Sequence, residues 1–133
     1  MLLFAFVLMP SHLHSIIKPR ERSIGKLLDE FGSFTAHAIL HKLRQENERE
    51  LLEFFSSQRR DKRHKHSIWQ DIQAKNVFSI KFLNQKIEYI HNNPVDKDWK
   101  LVEDRAAYRY SSACFYDRNI TPIIEVDDIR NYL

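Results

Sequence analysis

His12-Leu13-His14 is the stretch of this chain whose residue types and spacing most directly suggest chemistry. Strand side chains alternate in direction, so on a strand His12 and His14 face one side and Leu13 the other. Two imidazoles roughly 7 Å apart along a strand can grip one divalent ion. The spacing also describes two half-buried strand histidines with no ligand, and His-x-His alone does not separate the readings. A second such pair, His64 and His66, lies in a cationic stretch that repels a metal ion and is the weaker candidate.

A second set of chemical groups comes from one helix. Ser79 is suited to cap it, and Ile80, Leu83, Ile87 and Ile90 form its apolar stripe at 3.6-residue periodicity. Phe82, Lys86, Tyr89 and Asn93 lie on another face, roughly 110° from the centre of that stripe at about 100° per residue. Pro94 disfavours helical geometry at Asn93, so the helix is expected over residues 80–93, with Asn93 one turn beyond Tyr89. Taken singly, Tyr89 also reads as an interfacial tyrosine and Asn93 as a helix C-cap.

The remaining elements must position these groups. Leu2 to Leu8 is continuously apolar, as in a strand buried on both faces, and Pro10-Ser11 supplies the turn of a hairpin over 2–17. Ser23 can cap a helix in which Ile24, Leu27, Leu28 and Phe31 follow core-facing spacing; the pattern runs to about Leu43 with Gly32 as a weak point. Leu51, Leu52, Phe54 and Phe55 either continue that helix or form a short one of their own. Residues 58–66 carry Arg59, Arg60, Lys62, Arg63 and Lys65 against one acid, Asp61. This is a solvated loop that either neutralises the phosphates of a bound strand or has no ligand. Ile68-Trp69 anchors its far end, and Val77-Phe78 is expected to hold a short strand. The tail 95–133 contains Tyr108-Arg109-Tyr110-Ser111-Ser112-Ala113, which either stacks bases or wraps the core, and ends with a short helix capped at Asp127-Asp128.

Composition bounds the function. A chain of 133 residues, 43% of them hydrophobic, suits a single domain over 1–133. A net charge of +3 and seven histidines favour an acidic partner, nucleic acid first. One cysteine, Cys114, excludes an internal disulfide framework and points to the reducing cytoplasm. Two glycines leave no room for a glycine-rich phosphate loop, which removes the P-loop and dinucleotide classes. The apolar opening lacks the basic flank and cleavage site of a signal peptide, and no apolar run reaches the roughly 20 residues of a membrane span.

Three blocks carry a resemblance. Val7-Leu8-Met9-Pro10-Ser11-His12-Leu13-His14, Tyr89-Ile90-His91-Asn92-Asn93-Pro94-Val95 and Tyr108-Arg109-Tyr110-Ser111-Ser112-Ala113 occur in the order and approximate spacing seen in REP-associated tyrosine transposases. These are insertion-sequence transposases of the HUH endonuclease superfamily that act on single-stranded DNA. The resemblance, to which Ile68-Trp69-Gln70 adds, covers nearly the whole chain. It implies an α+β, ferredoxin-like antiparallel sheet with helices on one face. It implies His12, His14 and Asn93 as ligands of Mg²⁺ or Mn²⁺, Tyr89 as nucleophile, a single-stranded or hairpin DNA substrate and a homodimer. The phosphates would meet Arg59, Arg60, Lys62, Arg63 and Lys65, with Lys86 one turn from Tyr89. Relatives place a strand and a helix ahead of the hairpin, so an N-terminally truncated sheet is expected here, and Ser11 stands where asparagine is common. The expected activity is metal-dependent nicking and rejoining through a 5′-phosphotyrosine; the alternative is a non-catalytic nucleic-acid-binding remnant.

Overall fold

The computed structural model describes residues 1–59 and 67–133. Arg60, Lys62, Arg63 and Lys65, with His64 and His66, therefore lie outside the described residues. The described chain is α+β, with one two-stranded antiparallel sheet and four α-helices. It forms two compact units: residues 1–21 with 76–133, and residues 22–75.

The first unit is built on the hairpin. Strand β1 (Leu2–Leu8) pairs with β2 (Leu13–Lys18), with Val7 opposite His14 and a register shift between Leu3 and Ala5. The Met9 N–H donates to the His12 carbonyl at 2.8 Å and closes the turn through Pro10-Ser11. His12 therefore ends the turn and His14 stands on the strand. On the far side of β1 the tail supplies the partners: Tyr110 accepts from the Leu8 N–H at 2.8 Å, Phe6 accepts from the Ser112 N–H at 3.0 Å, and Leu3 accepts from the Asp127 N–H at 2.7 Å. Since Phe6 and Leu8 direct their backbone groups away from β2, their partners Ser15 and Leu13 direct theirs to the opposite edge. Among the described residues, no backbone hydrogen bond reaches that outer edge of β2.

Helix α3 (Ile80–Asn92) starts at Ser79, whose hydroxyl accepts from the Phe82 N–H. Ile87 packs with Leu2, Phe4, Ala5 and Ile129, and Ile90 packs with Val7 and Met9. The expected stripe is thus the buried face, except that Ile80 is 57% exposed and lies beyond the sheet contact. Asn93 ends the helix, and Asn93–Val95 continues as a 3₁₀ turn. The tail then holds a 3₁₀ turn (Arg105–Ala107), helix α4 (Ala113–Arg118) and a last 3₁₀ turn (Ile129–Tyr132) capped by Asp128. The strand expected at Val77-Phe78 does not form. Residues 71–79 are irregular and Phe78 is 88% exposed; the outer edge of β1 is taken by the tail, and the segment does not pair with the free edge of β2.

The second unit contains α1 (Ile24–Gln45) and α2 (Arg49–Ser57). Ser23 caps α1 as expected, its hydroxyl accepting from the Lys26 N–H. The two helices are separate because Asn47 adopts a left-handed conformation, φ 56°, which a helix interior does not tolerate. Gly32 is more than a weak point. A Cβ there would stand 2.7 Å from the Ile72 side chain, and the Trp69 Nε1–H beside it donates to Thr35 Oγ1 at 2.8 Å.

Ile90→Ala removes a buried side chain from the α3–β1 contact and should cost about 3 kcal/mol, whereas Ile80→Ala should stay within about 0.5 kcal/mol. Urea unfolding followed by circular dichroism checks both values.

Candidate active site

The residues singled out from sequence in the first unit converge. His12 and His14 have ring centroids 4.9 Å apart, and the His14 ring lies edge-on to Tyr89 at 5.5 Å. His12 Nε2 is 3.4 Å from Asn93 Oδ1. Lys86 extends over the Tyr89 ring, its ammonium 5.5 Å from the centroid. Residues about 80 positions apart in sequence thus share one face, because the apolar stripe of α3 seats on β1 and leaves Tyr89 and Asn93 facing the hairpin turn. Arg59 is exposed and belongs to the other unit.

Each group is held by a local cause. His12 Nδ1 is 3.1 Å from the Ser11 hydroxyl, which turns Nε2 toward Asn93. The His12 ring is also tilted against Trp99, 5.5 Å away. Asn93 is 8% exposed and fills two roles at once: its amide nitrogen donates to the Tyr89 carbonyl at 2.8 Å, satisfying the last helical turn, while its oxygen faces His12. The cap reading and the ligand reading of Asn93 are therefore compatible. Tyr89 is 54% exposed and lines an open cleft of about 420 Å³ with Asn92, Asn93, Asp96, Asp98 and Trp99.

The electrostatics suit a neutral imidazole at His14. Burial, then the neighbouring His12 and Lys86, lower the pKa of His14 from its ordinary value, which keeps a lone pair open to a cation at neutral pH. The donors on hand are two imidazole nitrogens and an amide oxygen, and the 3.4 Å between His12 Nε2 and Asn93 Oδ1 is a span that one ion with bonds of about 2.1 Å covers. The set fits a divalent ion, and its nitrogen content favours Mn²⁺ over Mg²⁺. Among the described residues no three His, Cys, Asp or Glu side chains gather so as to hold a metal ion.

Sequence reasoning missed the groups behind this face. His91 is fully buried, its Nε2 2.9 Å from Ser112 Oγ and its Nδ1 without a partner. Arg105 gathers Glu88 and Asn92 of α3 and Asp117 of α4, with Nη1 to Glu88 at 2.6 Å and Nε to Asp117 at 2.7 Å. That clamp holds the Asp117 carboxyl below its usual range. An unbroken helical pattern around His91 was the available signal, since a polar residue next to Ile87 and Ile90 must find a buried partner.

Compared with known proteins, the chain matches no family model, no curated protein and no solved structure. Among the described residues, no helix is long and apolar enough to cross a membrane.

Burial, reinforced by the Arg105 charge, pushes the His91 pKa down to about 4, against partial compensation from Asp117 and Glu88. As pH falls below about 6.5 the unfolded chain protonates this histidine before the folded one does. Stability from this source is therefore complete above pH 6.5 and is lost progressively toward pH 4, by about 3 kcal/mol. Urea midpoints measured between pH 7 and 4 should fall accordingly, and His91→Phe should flatten that slope.

Proposed function

We propose that this chain nicks and rejoins single-stranded DNA with Tyr89 as nucleophile. The observation that carries the reading is the convergence of Tyr89 and Asn93 on His12 and His14, four residues from two distant segments. Their identities and order match those expected from the resemblance to REP-associated tyrosine transposases. On this reading the hairpin belongs to a ferredoxin-like sheet with α3 on one of its faces, and the protein works in the cytoplasm as a homodimer.

His12, His14 and Asn93 would hold Mg²⁺ or Mn²⁺, which when bound polarises a phosphodiester and offsets the charge that develops on its oxygens. Tyr89 Oη attacks the phosphorus from an exposed position that a polymeric substrate can reach. A Tyr–O–P bond forms, the bond from phosphorus to the 3′ oxygen breaks, and that oxygen takes up a proton to leave a 3′-hydroxyl. One phosphodiester is exchanged for another, so the step runs backward onto a new 3′ end without nucleotide hydrolysis. The phenol gives up its proton to solvent as it attacks, and the Lys86 ammonium, 5.5 Å from the ring centroid, is placed to meet the phosphate that the ring approaches. Asn93 ties its helix turn to the His12 side through its two amide atoms.

A nucleic-acid-binding protein without chemistry is the competing reading, and the sheet of only two strands favours it, since a smaller sheet gives the histidines less support. Purified chain mixed with labelled hairpin DNA and Mn²⁺ separates the two on a denaturing gel. The nuclease reading expects a covalent adduct that Tyr89→Phe abolishes and His12→Ala reduces at least about 100-fold. Salt-sensitive binding by the wild-type chain with no adduct would instead support the binding-only reading.

Arg59, Arg60, Lys62, Arg63 and Lys65 are the proposed phosphate contacts. Changing all five to Gln should reduce the magnitude of the slope of log affinity against log salt for single-stranded DNA by about 3.5, a value read from fluorescence anisotropy titrations.

A further inference from the structure

His91 is an expensive residue to bury. It is 0% exposed on the α3 face that packs inward, where an apolar side chain would serve the core as well. Its one hydrogen bond goes to Ser112 Oγ at 2.9 Å. That hydroxyl is itself engaged with β1: the Phe6 N–H donates to it at 3.0 Å and the Phe6 carbonyl lies 3.3 Å away. His91 is thereby linked through a single side chain to the strand residue next to Val7, the partner of His14.

The proton count along this link fixes its direction. Ser112 has one hydroxyl proton and two acceptors in reach, His91 Nε2 and the Phe6 carbonyl. If the proton went to His91, the ring would carry its own hydrogen on Nδ1, leaving a buried N–H with no acceptor. If His91 Nε2–H donates to Ser112, the hydroxyl turns to the Phe6 carbonyl and the orphan at Nδ1 is only a lone pair. Buried unpaired N–H groups are the rarer and costlier outcome, so the second arrangement holds.

The link also acts at the right place on the helix. His91 lies two residues from both Tyr89 and Asn93, about 200° around the axis, and so fastens the back of the turn that carries both on its front. Ile87 and Ile90 hold α3 to β1 through apolar contact, which has no preferred direction and permits rotation and sliding. A directional hydrogen bond does not. We propose that His91, as the Nε2–H tautomer donating to Ser112, is the positioning residue that sets the rotation of α3 and hence the placement of Tyr89 and Asn93 against His12 and His14. The inference deepens the nuclease reading and rests on it for its functional meaning.

The full-length chain tests it with His91→Phe, which fills the space without a donor, His91→Gln, which keeps one, and Ser112→Ala, which removes the acceptor from the other side. Nitrogen-15 NMR of the wild-type chain should show the Nε2–H tautomer at His91. The His14–Tyr89 ring cross peak should weaken in His91→Phe and Ser112→Ala and return in His91→Gln. In parallel, Mn²⁺ affinity should fall about 10-fold or more in the first two, recover to within about threefold in the third, and fall no further in the double variant. All measurements are made below the melting temperature of each variant, so a merely stabilising role leaves cross peak and affinity unchanged. An Nδ1–H tautomer, an undiminished cross peak in His91→Phe, or a Gln variant no better than Phe would overturn the proposal. A wild-type chain that binds no Mn²⁺ and forms no adduct defeats the nuclease reading, while the tautomer and the cross peak still decide the positioning role.

Discussion

The seating of α3 on β1 is the contact on which the first unit depends. Val7 and Met9 against Ile90, with Leu2, Phe4 and Ala5 against Ile87, remove the apolar faces of two short elements from water at once. Neither element is stable alone, since a two-stranded hairpin and a helix of 13 residues are each marginal in water. The contact also decides chemistry: with the isoleucines turned to the sheet, Tyr89 and Asn93 have to face the turn that bears His12.

Around that contact the polar groups divide into two sets. On the front, His12 and His14 stand against Tyr89 and Asn93, and Tyr89 and Asn93 line the cleft. On the flank, Arg105 satisfies Glu88, Asn92 and Asp117 among themselves, which joins α3 to α4. The flank is a closed charge network near the surface, where such pairs contribute modestly, and its main effect is to fix which way the tail leaves the helix. Asn93 stands between the sets, with one end of its amide holding the helix and the other facing His12.

Period and capping made much of this legible in the sequence. The β1 run, the Ser79 cap, the stop at Pro94 and the off-stripe placement of Tyr89 and Asn93 are local signals, and the structure follows them. Local signals could not supply the pairing of the tail with β1. Tyr110, Ser111 and Ser112 have no strand periodicity, and what recruits them is an open edge more than 100 residues away. The same blindness produced the strand expected at Val77-Phe78, where β-propensity is present and pairing with a neighbouring strand is not. Ser112 was unreadable for a related reason: it looks polar and surface-like until its partner across the chain is known.

The capping of β1 by the tail also orders events in time. Leu3 and Phe6 take partners from Asp127 and Ser112, over sequence separations of 124 and 106 residues. At about 5–20 residues per second, synthesis of that intervening chain takes roughly 6 to 24 s. During that interval the most apolar segment of the protein has at best β2 and α3 to cover it, with its outer edge bare. That interval is when a chaperone or a second nascent chain competes for the strand.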